Sequence, residues 1–163
     1  MPELQRLRPD HAPALFAFEQ ENRAFFAASI PDRGDAYFTD FDARLTALLA
    51  EQASGLCHFH VLVAPDGEVL GRFNLVDVED GSAELGYRVA EKATGRGLAT
   101  ATVHRLCALA VEEYGLTTLR ASTTLDNPAS QAVLTRTGFV PTGELLLGGR
   151  PGIGYVRSTA AEA

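Results

Sequence analysis

The sequence predicts a single domain of the α/β class, α+β in type: a mixed, mostly antiparallel twisted sheet of about seven strands flanked by about four helices. Three observations predict it. Amphipathic helical stretches fill the first third of the chain, the hydrophobic period changes from 3.6 to 2 after Ser54-Gly55, and the next helix comes only after three successive strands. That helix is followed by a further strand, and the order strand, helix, strand implies a parallel, right-handed crossover inside an otherwise antiparallel sheet.

Leu4–Leu7 reads as a short first strand, and Asp10 is placed to cap a helix carrying Leu15, Phe16 and Phe18 that ends around Asn22-Arg23. The apolar segment from Phe25 to Asp32 is interrupted by Pro31 and reads as a loop or a short helical turn. Asp35 opens a second helix, with Phe38, Phe41, Leu45, Leu48 and Leu49 on one face at i, i+3, i+7, i+10 and i+11. These two helices are expected to form one packed layer. Cys57–Val63, Val69–Asp77 and Ala83–Val89 are three strands, joined by the turns Pro65-Asp66-Gly67-Glu68 and Glu79-Asp80-Gly81-Ser82. A helix from Leu98 to Tyr114 follows, with Ala99, Val103, Leu106, Cys107, Ala110 and Tyr114 on its buried stripe and Gly115 as its stop. Thr118–Thr123 is the next strand. Asp126-Asn127-Pro128 starts a last helix, with an Asx cap and proline at the first helical position, and Gly138 stops it. Phe139–Leu147 is a strand; the tail from Gly148 to Gly154 reads as a flexible turn before a short final strand at Tyr155–Ser158. There is no internal repeat, linker or second domain.

At 163 residues the chain can bury a substantial core, and its 46% hydrophobic content is that of an ordinary globular protein. No apolar run approaches the roughly 18–20 residues that span a bilayer, and the first residues lack the pattern of a signal peptide, so the expected location is the cytoplasm, away from membranes. A net charge of −7 and a single lysine, Lys92, argue against nucleic acid as a partner. Cys57 and Cys107 fall in a strand and a helix, as reduced core residues do. His58 and His60 share one strand face, yet no carboxylate or cysteine at ligand spacing completes a metal set, and His11 and His104 are isolated.

The most informative stretch is Gly95-Arg96-Gly97-Leu98-Ala99-Thr100, which joins a strand to a helix. Two glycines let the backbone approach a ligand without a Cβ in the way, and the first N–H groups of the helix, at its positive dipole end, suit a phosphate. A nucleoside-triphosphate loop is excluded, because it needs a lysine after the glycines and this chain has none beyond Lys92. A dinucleotide fingerprint needs a third glycine where Thr100 stands and a parallel sheet where this chain has a meander. A coenzyme A pyrophosphate, or a tight turn that binds nothing, also fits the run.

The segment Arg96-Gly97-Leu98-Ala99 resembles the acyl-coenzyme A loop of the GNAT N-acetyltransferases: Gln or Arg, two residues of any kind, Gly, any residue, then Gly or Ala. Here Thr94 stands where Gln or Arg is usual, Gly97 is the central glycine and Ala99 closes the pattern. Ala83-Glu84-Leu85-Gly86-Tyr87-Arg88-Val89 resembles the fourth strand of the RimJ/RimL branch, which acetylates protein N-termini. Asn127 to Leu134 with Gly138-Phe139 resembles a further segment of it, and Asn22 to Phe26 with Pro31-Asp32-Arg33 is similar to its N-terminal part. The resemblance covers nearly the whole chain.

It implies acetyl-CoA as cosubstrate, no metal, and direct attack by an amine in a ternary complex. The fourth and fifth strands are expected to splay, so that Tyr87, Arg88 and Val89 hold the pantetheine arm. Thr94, Gly95, Arg96, Gly97, Leu98, Ala99 and Thr100 would hold the pyrophosphate, with Asn127 and Ser130 as further contacts to the coenzyme. Transfer needs a neutral amine, stabilisation of charge on the thioester oxygen and a proton for the thiolate. A backbone N–H, that of Val89, would face the oxygen; Ser130 is the candidate acid and Glu84 the candidate base, acting through water. Ser130 could equally pack at its helix start, Asn127 could be a cap alone, and Glu84 also suits a solvated strand face. Phe25, Phe26, Tyr37 and Phe38 fit either an acceptor pocket or the core. The expected acceptor is a protein or peptide N-terminus; a small amine such as a polyamine or antibiotic, or a non-catalytic CoA-binding sensor, is the alternative, and a homodimer is left open.

Overall fold

The structure, a computed structural model, describes residues 2–28 and 31–159. In chain order the elements are β1 (Glu3–Arg6), α1 (Ala12–Glu21), α2 (Arg23–Ala27), α3 (Asp35–Thr39), α4 (Phe41–Ala53), β2 (His58–Val63), β3 (Val69–Glu79), β4 (Ser82–Val89), α5 (Leu98–Glu112), β5 (Thr118–Thr124), α6 (Pro128–Arg136), β6 (Val140–Leu147) and β7 (Arg150–Ser158), with 3-10 turns at Pro9–His11 and Glu91–Ala93. The seven strands form one sheet in the order β1-β2-β3-β4-β5-β7-β6. β1 and β2 run antiparallel, as do β5 with β7 and β7 with β6. β4 and β5 are the parallel pair that the strand–helix–strand order requires.

Two compact units make up the chain. One comprises the described residues up to Asn74 together with Tyr87–Arg96; the other comprises Leu75–Gly86 and the described residues from Gly97 on.

In the first unit, α1 buries Leu15, Phe18 and Glu19, and α4 buries Phe41, Leu45 and Gln52. The two expected helices do form one aromatic layer: Phe16 meets Phe38 and Phe41 edge-on at 5.8 and 5.2 Å. Gln52 fixes α4 to the strands, donating to the Leu7 carbonyl at 3.0 Å and accepting from the Phe59 N–H at 2.9 Å. The helix expected from Asp35 is broken into α3 and α4 at Asp40 (φ −102°, ψ 23°), next to Thr39; both are poor helix formers in mid-helix. The segment expected as a loop or a short helical turn begins within the five-residue helix α2, seated by Phe26 packing on Phe18 at 5.5 Å. Ser29 and Ile30, which belong to that segment, lie outside the described residues. With α2 counted and α3 separate from α4, the described residues hold six α-helices where about four were expected.

In the second unit, α5 buries Thr102, Val103, Leu106, Cys107 and Ala110, and Gly115 ends it in the left-handed conformation (φ +63°). The tail read as a flexible turn is strand instead. β7 starts at Arg150, and Gly148 and Gly149 alone make the turn, both at positive φ. Gly152 is glycine because the sheet is tight there: a Cβ would lie 2.8 Å from the Thr123 carbonyl and 2.9 Å from Leu147.

Both cysteines are buried and neither forms a disulfide, as the sequence implied. Among the described residues no helix is long and apolar enough to cross a membrane.

Candidate functional site

The glycine turn is built by local geometry. After β4 the chain makes one 3-10 turn, in which the Thr94 hydroxyl donates to the Glu91 carbonyl at 2.7 Å. Gly95 and Gly97 then take left-handed conformations, with φ +74° and +73°, and a Cβ on either would meet nothing within 4 Å. Gly97 is the N-cap of α5. The first bond of the helix runs from the Ala101 N–H to the Gly97 carbonyl at 3.1 Å, so the N–H groups of Leu98, Ala99 and Thr100 precede the helical ladder. No side chain caps this end and its first turn holds no acid. An anion supplied from outside the chain is what such a helix end favours.

β4 leads into this turn. Its parallel ladder with β5 contains three residue pairs, Ser82 with Thr118, Ala83 with Leu119 and Glu84 with Arg120, and stops there, although β4 runs on to Val89 and β5 to Thr124. Among the described residues the register of β4 with β5 ends at that pair, at the point where strands four and five were expected to splay. Tyr87 stacks on Phe73 with centroids 5.5 Å apart and planes 8° from parallel, while Val89 is buried. Beyond the strand, the Ala90 N–H donates to the Leu70 carbonyl at 2.8 Å, and the Glu91 N–H donates to the Asn22 side-chain oxygen at 2.9 Å. Asn22 is buried and its amide nitrogen donates back to the Phe18 carbonyl at 2.9 Å, so the end of α1 anchors the segment that leads into the turn. The sequence reading took Asn22 as a helix end and as the start of the segment similar to the N-terminal part of the RimJ/RimL branch; the backbone donor that it satisfies lies 69 residues away.

Asn127 caps α6, its side-chain oxygen accepting from the Ser130 N–H at 3.1 Å. The cap uses the backbone of Ser130. Glu84 is half-buried on β4 and stands in register with Arg120.

The largest electrostatic feature of the first unit was not legible in the sequence. Glu19 on α1, 1% exposed, accepts from Arg72 at 2.7 Å, Arg33 at 3.1 Å and Arg88 at 3.2 Å. Arg72 also donates to the Tyr37 hydroxyl at 3.1 Å. Burial pushes the Glu19 carboxyl upward, but the pull of Arg72, Arg33 and Arg88 outweighs it and holds the group below its ordinary value. Burial and the neighbouring Arg33 lower Arg88. The guanidinium faces lie on rings, Arg88 over Phe26 and Arg33 over Tyr37, each at 4.6 Å. Of the aromatic residues with two readings, Phe26 and Tyr37 are buried in this cluster, Phe38 is half-buried and Phe25 is exposed.

The strand histidines are placed by ordinary bonds. His60, 2% exposed, donates from Nδ1 to the Phe73 carbonyl at 3.1 Å, and His58 Nδ1 accepts from Arg6 at 3.2 Å. Burial pushes His60 down to about 4. Among the described residues no group of three or more His, Cys, Asp or Glu is placed to hold a metal.

The sequence profile of the acetyltransferase (GNAT) domain matches residues 3–140. A protein of Bacillus subtilis named "Putative ribosomal N-acetyltransferase YdaF" is 33% identical over 81 residues, 48% of this chain and 44% of that protein. The chain spans about half the length of the curated relatives that it matches. The crystal structure of the ribosomal-protein-S5-alanine acetyltransferase of Vibrio fischeri superposes with a TM-score of 0.91 at 20% identity, covering 99% of this chain and 95% of that one. RimJ of Mycobacterium smegmatis, solved in complex with CoA-disulfide, superposes with a TM-score of 0.85 at 25% identity, covering 95% and 80%.

Proposed function

The chain belongs to the GNAT acetyltransferase family, and from that membership we propose that it transfers the acetyl group of acetyl-CoA to a primary amine, the N-terminal amine of a protein or peptide. The described units serve this reaction as one acetyltransferase domain. The observation that carries the reading is β4, whose parallel register with β5 ends at Glu84 and which runs through Tyr87–Val89 into a turn of two left-handed glycines and an uncapped helix end. The names of the relatives support the acceptor: one is called a ribosomal N-acetyltransferase and one acts on an alanine of ribosomal protein S5.

The backbone of Tyr87–Val89 offers hydrogen bonds to the amide groups of the pantetheine arm. Thr94, Gly95, Arg96, Gly97, Leu98, Ala99 and Thr100 supply the pyrophosphate site, in which N–H groups count for more than side chains, so Thr94 is tolerated where a longer residue is usual. Transfer forms a C–N bond and breaks a C–S bond. The Val89 N–H stabilises the charge that grows on the thioester oxygen, Glu84 takes the amine's proton through water, and the Ser130 hydroxyl gives a proton to the departing thiolate. Asn127 holds the start of α6 and contacts the coenzyme. The protein works without a metal and in the cytoplasm, on protein acceptors and not on nucleic acid.

The test is release of free CoA thiol from acetyl-CoA with short peptides, the product mass locating the acetyl group. Thiol release with free N-terminal peptides, and none with the same peptides already acetylated, is expected. Release with polyamines or aminoglycosides alone would move the acceptor to a small amine. Binding of CoA with no release from any amine would make the chain a sensor.

A further inference from the structure

Helix α1 holds the end of β4 at two points. Glu19 and the C-cap residue Asn22 stand three residues apart, on one face of the helix. Glu19 accepts from the Arg88 guanidinium at 3.2 Å, and Asn22, 7% exposed, accepts from the Glu91 N–H at 2.9 Å. Val89 lies between those two points. Each grip is itself fixed: Glu19 by Arg72 at 2.7 Å, and Asn22 by the Phe18 carbonyl, to which its Nδ2 donates at 2.9 Å. Next to Val89, the extended Ala90 (φ −57°, ψ 144°) donates its N–H to the Leu70 carbonyl of β3 at 2.8 Å. Successive N–H groups of an extended chain point to opposite edges, so the Val89 N–H turns away from β3. Further on, the Ala93 N–H donates to the Ala90 carbonyl at 2.9 Å, and the Thr94 N–H and hydroxyl both donate to the Glu91 carbonyl, at 3.2 and 2.7 Å. The segment from Val89 to Gly95 is therefore indexed on Ala90 and Glu91, and these on Leu70 and Asn22. The ion pair of Lys92 with Glu68 is exposed on both sides and adds little.

We propose that Asn22 is a positioning residue of acetyl transfer: through the Glu91 N–H it fixes the Val89 N–H against the thioester oxygen. This rests on the acetyltransferase reading and adds to it a residue outside the coenzyme contacts. Asn22 acts through the backbone of Ala90 and Glu91, and not on either substrate. A misplacement of about 1 Å costs as much as about a hundredfold in rate. The clamp matters most in the transition state, where the oxygen carries the charge that the Val89 N–H meets.

The experiment compares Asn22→Ala, which loses both bonds, with Asn22→Asp, which keeps an oxygen for the Glu91 N–H and loses the donor to Phe18. Thiol release from acetyl-CoA with a peptide acceptor is measured per folded molecule, counted by titration with CoA. In Asn22→Ala kcat should fall about tenfold or more, while Kd for CoA and KM for the peptide change by less than about threefold. Asn22→Asp should stay within about threefold of the wild type. A purely structural role would lower the denaturation midpoint and leave kcat per folded molecule unchanged, and that result overturns the proposal. A fall in Asn22→Asp as deep as in Asn22→Ala overturns it too, since the bond to Phe18 would then be the one that counts. Amide hydrogen exchange reads the clamp without turnover: Glu91 and Ala90 should exchange about tenfold faster in Asn22→Ala and at the wild-type rate in Asn22→Asp. Unchanged exchange at Ala90 overturns the clamp even where kcat falls. A wild type that releases no thiol with any amine overturns the acetyltransferase reading and with it the role in transfer, while the exchange pattern shows whether the clamp itself stands.

Discussion

Glu19 has a helix position and a neighbourhood that pull in different directions. A carboxylate 1% exposed is costly unless its oxygens are fully engaged, and here Arg33, Arg72 and Arg88 engage both. Removing it would leave buried guanidiniums without a counter-charge, at a cost of roughly 3–5 kcal/mol. Since its folded-state pKa lies below the unfolded value of 4.5, the stability it supplies is complete above that pH and is lost as pH falls through the folded value. His60 acts earlier on the same descent. Its pKa falls from 6.5 to about 4 on folding, so its contribution is intact above 6.5 and declines between 6.5 and 4, by roughly 1 kcal/mol per pH unit, as the unfolded chain takes up the proton. His60→Asn keeps a donor for the Phe73 carbonyl and cannot titrate. Urea unfolding across that range should show a slope shallower by that amount in the variant; parallel curves would show that His60 titrates normally. None of this could be read from the chain, because Glu19 and Arg72 lie 53 residues apart and Glu19 and Arg88 lie 69 apart.

Among the elements, those whose signal is local were legible and those set by neighbours were not. The Asx cap of α6, the strands of the meander and the left-handed stop at Gly115 each follow from residues within one turn of the feature. The break at Asp40 and the early start of β7 do not, since four glycines in seven residues from Gly148 to Gly154 look like a linker until a strand is found on each side. Gly152→Ala would push a Cβ to 2.8 Å from the Thr123 carbonyl, so it should lower stability by about 1–3 kcal/mol, measured as a shift of the denaturation midpoint. A neutral effect there would mean that β7 is loose after all. At α6 two roles separate cleanly. The Ser130 backbone N–H satisfies Asn127, so Ser130→Ala keeps that bond of the cap. That variant should lose turnover at near-normal affinity for acetyl-CoA, whereas Asn127→Ala should cost about 1 kcal/mol of stability. An unchanged kcat in Ser130→Ala would end its role as acid.

Over the whole molecule, the class of fold and the glycine turn were visible in the chain, while the arginine cluster around Glu19 was not. The turn is legible because backbone geometry demands glycine at two places two residues apart, whatever surrounds them. The cluster around Glu19 is assembled from side chains far apart in sequence, with no spacing rule to reveal them. Binding of acetyl-CoA to the folded chain should raise its stability by about 2.7 kcal/mol at a concentration 100 times Kd. A thermal shift with acetyl-CoA and none with NADPH is therefore expected, and the reverse pattern would return the glycine turn to a dinucleotide. The three-pair ladder between β4 and β5 has one more consequence. Peptide groups left open along a strand are chemically the same under every side chain, so the residues of that strand can be exchanged over generations without altering what its open edge offers. Ancestry there is written in the path of the backbone and fades from the letters, which is how a chain sharing only 20% of its residues with a bacterial acetyltransferase still superposes on it with a TM-score of 0.91.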